Sequence, residues 1–192
     1  AVRPEVMVHA VEHPGQMKDL LRRASVVAVG PGLGQGPWGE ALWEQLHRYE
    51  RPMVVDADAL NLLARSPVRV RDDWVLTPHP GEAARLLDEC NLQIHSDRFA
   101  AASRIQQKCG GVTVLKGAGT LVCGQGQTLP AVCSDGNPGM ASGGMGDVLT
   151  GVIAGLLAQG YQSQQAAEMG VCLHAAAADR VAAERGERGM LA

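Results

Sequence analysis

The chain has 192 residues, a length typical of one domain with a substantial core, so we expect a single domain over residues 1–192. A net charge of −3 and an aromatic fraction of only 3% are unlike the basic, stacking surfaces of nucleic-acid-binding proteins. No apolar run is long enough to span a bilayer and no signal peptide is recognisable, so we expect a cytoplasmic protein that binds small molecules, without nucleic-acid or membrane partners. The cysteines are odd in number and scattered, which predicts free thiols rather than disulfides or a zinc site. They are Cys90, Cys109, Cys123, Cys133 and Cys172.

Apolar, β-branched segments alternate with amphipathic segments along most of the chain. The predicted strands are residues 25–30, 52–57, 74–78, 112–117, 120–124 and 129–134. The predicted helices are residues 17–24, 38–49, 59–65, 82–90, 97–109, 146–159 and 164–184. This alternation predicts an α/β fold with a mostly parallel central sheet and helices on both faces. The short connections after residues 112–117 predict a small antiparallel edge.

Ligands of such open sheets bind beyond the carboxyl ends of the strands, so the strand-to-helix junctions are the places to look for chemistry. The first junction carries Gly30, Gly32, Gly34 and Gly36 but does not spell the dinucleotide-binding G-x-G-x-x-G pattern. Two interpretations remain open for it: a flexible turn, or a loop whose bare backbone lies against a ligand.

The second and third junctions carry polar side chains. Asp58 is predicted to cap the helix that follows the second strand, whereas Asp56 could bind a metal, bind a substrate hydroxyl or cap a turn. His79 stands between two prolines that stiffen the backbone and fix its direction, which makes a structural role and a functional role equally plausible. Glu82 opens the next helix, where the helix dipole stabilises a carboxylate.

The fourth junction, GNPGMASGGMGD, places Gly143, Gly144 and Gly146 just before a long apolar helix that begins near Asp147. Free backbone N–H groups at a helix start, with no side chains in the way, form a binding site for phosphate. Capping alone would explain an aspartate at position 147 but not the glycines before it. We therefore predict an anion hole.

Five segments, taken in order, resemble the ADP- or ATP-dependent NAD(P)H-hydrate dehydratases of the ribokinase-like superfamily. They are GPGLG, VVDADALNLL, TPHPGEAARLL, VLKGAGTLV and GNPGMASGGMGDVLTGVIAGLLAQG. The likeness extends over nearly the whole chain, as to the dehydratase half of a bifunctional nicotinamide-nucleotide repair enzyme. It implies a ribokinase-like sandwich, in agreement with the α/β pattern.

The resemblance also implies a reaction. Hydrated NADH or NADPH would be returned to NAD(P)H with consumption of ADP and release of AMP and phosphate: the ring hydroxyl attacks the terminal phosphoryl group, and phosphate then leaves. Mg²⁺ is expected to bridge the phosphates, although no metal ligand is evident. Asp147 would act as the base on the substrate hydroxyl. The other implied residues are an anion hole of Gly143, Gly144, Met145 and Gly146; a nucleotide site of Lys116, Gly117, Ala118, Gly119, Thr120 and Gly146; and substrate contacts at Gly32, His79 and Asp147.

Relatives of this kind carry additional sequence at both ends, so the chain is expected to be truncated and to belong to a longer protein fused to an epimerase domain. They also imply a homo-oligomer, a tetramer. Two other functions remain open. One is a small-molecule kinase of the same superfamily, such as a hydroxyethylthiazole kinase, against which the TPHPGE context argues. The other is a nucleotide-binding module without catalysis.

Overall fold

Six short strands form one sheet in the computed structural model, which describes residues 5–67 and 70–192. The strands lie side by side in sequence order. β1 to β4 are parallel, and β5 and β6 continue the sheet as an antiparallel edge, which confirms the predicted α/β class. The strands are β1 (Val27–Val29), β2 (Met53–Val55), β3 (Trp74–Leu76), β4 (Val112–Leu115), β5 (Thr120–Cys123) and β6 (Ala131–Cys133).

Eight helices and two 3₁₀ turns surround the sheet within the described ranges. The helices are α1 (Met17–Arg23), α2 (Pro37–Leu46), α3 (Ala57–Arg65), α4 (Pro80–Leu87), α5 (Asn91–Ser96), α6 (Arg98–Cys109), α7 (Met145–Ala158) and α8 (Ser163–Arg185), and the 3₁₀ turns are Pro14–Gln16 and Pro138–Met140. α5 was not predicted from sequence. It arises because α4 ends at Leu87, where Asp88 adopts a left-handed conformation (φ 57°), and a new turn then buries Ile94 completely.

Each face of the sheet packs against its own layer of helices, because successive side chains of a strand point to opposite faces. In β2, Met53 and Val55 join a core with residues of α2, α3, α4 and α6, whereas Val54 joins a second core with residues of α7 and α8. In β3, Trp74 and Leu76 likewise belong to the first core, and Val75 belongs to the second. This confirms the prediction of helices on both faces and gives the layered architecture of a sandwich.

Parallel strands that follow one another in sequence place all their carboxyl ends at one edge of the sheet. Gly146 and Thr150, in the first two turns of α7, lie against Lys116 and Asp56, so the start of α7 reaches this same edge. The carboxyl edge therefore receives four strand-end loops and the start of α7.

Among the described residues, no helix is both long and apolar enough to cross a membrane.

Candidate active site

The loops at the carboxyl edge bring together side chains that are far apart in sequence. β1 is followed by the glycine loop 30–36, β2 by Asp56, β3 by His79 and β4 by Lys116. The loop after β1 is held against the loop after β2: the N–H of Asp56 donates to the carbonyl of Val29 at 3.0 Å, and a Cβ at Gly30 would overlap the Asp56 carbonyl oxygen at 1.7 Å. Position 30 thus requires glycine, because φ is 125° there and the backbone of Asp56 leaves no room for a side chain.

A buried ion pair lies at the centre of this edge. The Nζ of Lys116 donates to Oδ1 of Asp56 at 2.8 Å, and the hydroxyl of Thr150, from α7, donates to Oδ2 at 2.8 Å. Burial opposes ionisation of Asp56, but the charge of Lys116 and the hydrogen bonds to the carboxylate outweigh it, so the pKa of Asp56 lies below its ordinary value. Asp56 is therefore a carboxylate that joins β2, β4 and α7.

Glu82 adds a second buried carboxylate beside the same lysine. Its Oε2 lies 3.9 Å from Nζ of Lys116 and accepts the backbone N–H of His79 at 2.8 Å. Burial raises the pKa of Glu82, an effect that the positive charge of Lys116 and the His79 hydrogen bond only partly offset. Lys116 is thus the cation shared by two acidic groups.

His79 is oriented by the start of α4. Its Nδ1 accepts the backbone N–H of Gly81 at 2.9 Å and that of Glu82 at 3.4 Å, so the neutral ring carries its proton on Nε2. Burial, followed by the charges of Lys116 and Arg85, lowers the pKa of His79. The Nε2 of this half-exposed imidazole lies 3.5 Å from Oε1 of Glu82, so the ring is held between the first N–H groups of α4 and a buried carboxylate.

The glycine loop before α7 approaches the ion pair closely. Gly144 is the N-cap of α7 at φ 90° and has no side chain with which to cap the first N–H groups. A Cβ at Gly146 would lie 3.2 Å from Nζ of Lys116 and 3.7 Å from Oδ2 of Asp56. The uncapped start of a 14-residue helix therefore lies next to a lysine ammonium whose charge Asp56 and Glu82 balance, and the free N–H groups of the helix favour a bound anion.

A cavity of about 690 Å³ opens beside this loop, within the usual range of small-molecule sites. The β4–β5 turn, the loop after β6, the start of α7 and one side of α8 form its walls. The predicted site residues that line it are His79, Lys116, Gly117, Ala118, Gly119, Thr120, Met145 and Gly146. The whole predicted nucleotide segment thus faces one cavity together with the first turn of α7.

Other predicted site residues lie outside the cavity wall. Gly143, Gly144 and Gly32 are exposed backbone positions that do not line it, and Gly32 has φ 67° in the loop after β1. Asp147, the third residue of α7, is also exposed and does not line the cavity. All of the predicted nucleotide residues therefore line the cavity. Of the predicted substrate residues, His79 lines it, whereas Gly32 and Asp147 do not.

The prediction that Asp58 caps α3 is wrong. The N-cap residue is Asp56, and Asp58 lies in the first turn of the helix. Its carboxylate instead accepts the N–H of Gly34 at 2.9 Å and the side-chain amide of Gln35 at 2.9 Å. Asp58 thus fixes the glycine loop after β1, a long-range contact that takes precedence over local capping.

Several residues at the site were missed because only the fold brings them there. Asp179, on α8, accepts the N–H of Gly136 and the side-chain amide of Asn137, both at 2.8 Å, and so holds the loop that lines the cavity. Thr150 and Arg98 contact Asp56 and the β4–β5 turn from helices. No local pattern marks these roles, since each partner lies 20 or more residues away.

Two curated relatives have a high identity to the chain. A bifunctional NAD(P)H-hydrate repair enzyme of Coxiella burnetii is 52% identical over 191 residues, which are 99% of this chain and 38% of the relative. An ADP-dependent (S)-NAD(P)H-hydrate dehydratase of Neisseria meningitidis is 40% identical over 195 residues, which are 98% of this chain and 65% of the relative. The chain thus spans less than two thirds of the length of each.

Solved structures share the fold. A ribokinase-like superfamily protein of Enterococcus faecalis superposes with a TM-score of 0.79 at 30% identity over 88% of this chain and 60% of its own. The ADP/ATP-dependent NAD(P)H-hydrate dehydratase of Bacillus subtilis, co-crystallised with ATP and Mg²⁺, superposes with a TM-score of 0.76 at 29% identity over 87% of this chain and 59% of its own. The fold is therefore ribokinase-like.

The family assignment rests on the whole chain. The Carb_kinase family model, described as NAD(P)H-hydrate dehydratase, matches residues 1–192. Together with the relative at 40% identity, of which the chain covers 65%, and the one at 52%, this agrees with the resemblance carried by the five sequence segments. The chain belongs to the NAD(P)H-hydrate dehydratase family.

Proposed function

We propose that the chain catalyses the ADP-dependent dehydration of (S)-NAD(P)H hydrate to NAD(P)H, with release of AMP and phosphate. The observation that carries the proposal is the cavity in which the Lys116–Thr120 turn meets the start of α7, with the ammonium of Lys116 beside Gly146. The names of the Coxiella and Neisseria relatives support the hydrated nicotinamide substrate, and the latter supports ADP.

The proposed chemistry converts a poor leaving group into a good one. The ring hydroxyl of the hydrate attacks the terminal phosphoryl group of ADP and AMP leaves. Phosphate then departs from the ring carbon, driven by the lone pair of the ring nitrogen, and the adjacent ring carbon loses a proton, which restores the ring double bond of NAD(P)H. Asp147 is proposed to take the hydroxyl proton, as a carboxylate in the first turn of α7. The backbone of Gly143, Gly144, Met145 and Gly146 is proposed to hold the transferred phosphoryl oxygens.

Nucleotide and substrate are proposed to bind on different sides of that backbone. Lys116, Gly117, Ala118, Gly119, Thr120 and Gly146 would bind ADP in the cavity, and their common position on its wall supports this. Gly32, His79 and Asp147 would contact the hydrated nicotinamide. The half-exposed ring of His79 lies on the cavity wall, which supports a contact with the substrate beside the nucleotide.

Mg²⁺ fits this site as an ion held mainly by phosphate. Among the described residues, no cluster of three acidic, histidine or cysteine side chains could hold a metal, whereas Mg²⁺ typically uses one or two carboxylates with substrate phosphates. The buried carboxylates nearest to the cavity are Asp56 and Glu82, both beside Lys116, but neither lines the cavity, so phosphate oxygens would supply most of the ligands. Bound there, the ion would neutralise charge on the phosphates.

The test of the function is incubation of the chain with hydrated NADH and either ADP or ATP. We expect recovery of NADH absorbance with stoichiometric phosphate, and the two nucleotides compared side by side give the preference. A stable phosphorylated product would instead identify a kinase. Binding of ADP without turnover would identify a nucleotide-binding module.

The larger assembly is part of the same proposal. We propose that the chain acts as the dehydratase domain of a bifunctional repair protein with an epimerase domain, and that it forms a homo-oligomer, a tetramer. The name of the Coxiella relative and its greater length support the first part. Light scattering of the purified chain, alone and joined to the remaining domain, tests the second.

The variant Gly146→Ala tests whether ADP binds where the start of α7 approaches Lys116. The added methyl group would lie 3.2 Å from Nζ of Lys116, so we expect ADP affinity to fall about 10-fold, as for the loss of a hydrogen bond to a charged group. Isothermal titration calorimetry with ADP measures the effect. The matched control is Gly151→Ala on the same helix, where a Cβ meets nothing within 4 Å.

The control should bind ADP normally and unfold at a slightly higher temperature, because alanine favours a helix over glycine by about 1 kcal/mol. Equal ADP affinities for the Gly146 and Gly151 variants would contradict the placement of the nucleotide against Gly146.

A further inference from the structure

The turn between β4 and β5 closes around one guanidinium group. Arg98, the first residue of α6, is not part of the cavity wall but contacts the turn from outside it. Its Nη1 donates to the carbonyl of Ala118 at 2.5 Å, and its Nη2 donates to the carbonyls of Leu115 at 3.2 Å and Lys116 at 3.4 Å. A single planar side chain thus binds three carbonyl oxygens of one turn.

The position of Arg98 is unfavourable for the helix that carries it. A cation in the first turn of a helix is opposed by the helix dipole, and partial burial of the guanidinium lowers the pKa of Arg98. α6 does not need the arginine as a cap, because the side chain of Asp97 accepts the N–H of Ala100 at 2.9 Å. The contacts that offset this cost are those to the β4–β5 turn.

Gly117 shows how closely the turn and the guanidinium fit. The residue has φ 144°, which disfavours side chains, and a Cβ there would lie 3.0 Å from Nη2 of Arg98. Its own carbonyl accepts the hydroxyl of Thr120 at 3.1 Å. All four carbonyls from Leu115 to Ala118 are therefore engaged by side chains.

The direction of these carbonyls sets the direction of the N–H groups. In a trans peptide, the C=O of one residue and the N–H of the next point in opposite directions, and no cis peptide occurs in the described part of the chain. The carbonyls of Lys116 and Ala118 point to Arg98, so the N–H groups of Gly117 and Gly119 point away from it, and both glycines line the cavity whereas Arg98 does not. Within residues 5–67 and 70–192, no hydrogen bond uses either N–H.

The neighbouring peptide obeys the same geometry. The carbonyl of Leu115 binds Arg98, and the N–H of Lys116 donates the opposite way, to the carbonyl of Pro78 at 2.9 Å. Free backbone N–H groups of one turn that lie at the wall of a cavity can bind acceptor oxygens of a ligand. Arg98 thus holds the carbonyl groups of the turn on its own side and leaves the N–H groups of Gly117 and Gly119 on the opposite side.

We propose that Arg98 is a positioning residue for the nucleotide, which holds the Lys116–Thr120 turn so that the N–H groups of Gly117 and Gly119 bind acceptor oxygens of ADP. The inference rests on the proposed function, because it takes the cavity to be the nucleotide site. Arg98 itself does not touch the nucleotide. Lysine cannot replace it, because an ammonium is a point charge and lacks the planar fork that spans three carbonyls.

The experiment compares Arg98→Lys and Arg98→Met with the unaltered chain. Calorimetry with ADP measures affinity directly, and steady-state assays give KM for ADP, KM for the hydrate and kcat. We expect Arg98→Lys to weaken ADP binding about 10-fold and Arg98→Met at least as much. KM for ADP should rise in parallel, while kcat and KM for the hydrate stay within about twofold.

Arg104→Lys is the matched control. It makes the same chemical change on the same helix, where Arg104 forms an ion pair with Glu89 away from the turn. Its ADP affinity should equal that of the unaltered chain at a similar melting temperature. Should Arg98→Met fail to fold, Arg98→Lys alone carries the comparison.

Three outcomes would overturn the inference. The first is ADP affinity in Arg98→Lys within twofold of the unaltered chain, which leaves the proposed function intact. The second is an equal loss in Arg98→Lys and Arg104→Lys, which would show a general weakening of α6. The third is an unaltered chain that does not bind ADP at all, which would remove the proposed function as well.

Discussion

Replacement of Asp147 by asparagine is expected to lower turnover of the hydrate by about 10²- to 10⁴-fold, the usual contribution of a positioned general base. Asparagine keeps the size of the side chain and removes its basicity. ADP affinity should stay within about twofold, because Asp147 is exposed and lies outside the cavity that the proposed nucleotide segment lines. NADH recovery at saturating ADP gives the turnover, and calorimetry gives the affinity.

Asp19→Asn is the control for this change. Asp19 is also the third residue of a helix and is also exposed, but it belongs to none of the loops at the carboxyl edge, and its carboxylate pairs with Arg22. Turnover of this variant should equal that of the unaltered chain. Full activity of Asp147→Asn, or an equal loss in both variants, would contradict the assignment of Asp147 as the base.

The strands and most helices could be predicted because their signals are local. Met53 to Val55 and Trp74 to Leu76 are apolar on both faces, as strands between two layers of helices must be. The break between α4 and α5 could not be predicted in the same way. It depends on Asp88 in a left-handed conformation and on the buried position of Ile94, which are set by packing rather than by local preference.

The candidate site was predictable to the extent that its residues follow strands. His79 was found because it follows β3 between two prolines, Lys116 because its segment resembles the nucleotide segment of the family, and the glycines before α7 because bare backbone at a helix start binds anions. The partners of these residues were not predictable. The sequence allowed three roles for Asp56, and an ion pair with a lysine 60 residues away was not among them. Arg98 is the first residue of α6, where the helix dipole disfavours a cation, so no local preference indicates its role. Ion pairs between distant elements leave no periodic pattern in a sequence.

Removal of the ammonium in Lys116→Met is expected to affect both binding and stability. ADP affinity should fall about 10- to 100-fold, since hydrogen bonds to charged groups contribute about 1.5–3 kcal/mol. The free energy of unfolding should fall by about 3–5 kcal/mol near pH 8, because Asp56 would be left as a buried carboxylate without its counter-ion. Calorimetry and urea denaturation measure the two effects separately.

The loss of stability should depend on pH with a defined sign. In the unaltered chain the pKa of Asp56 is lowered, so its contribution is present above the unfolded pKa of about 3.9 and is lost as the pH falls through the lower folded value. Without Lys116, burial dominates and raises the pKa of Asp56 above that of the unfolded chain. The folded variant then binds the extra proton, so its stability relative to the unaltered chain should improve as the pH falls from 8 toward 5.

The double variant Asp56→Asn/Lys116→Met separates the two roles of the lysine. It has no unpaired carboxylate at position 56, so it should recover much of the lost stability. Any pH dependence that remains relative to the unaltered chain would belong to Glu82 and His79, whose pKa values Lys116 and Asp56 also shift. Its ADP affinity should stay as weak as that of Lys116→Met, because the ammonium is still missing. If affinity returned together with stability, Lys116 would act on the nucleotide only by maintaining the fold, and its place in the nucleotide site would be refuted.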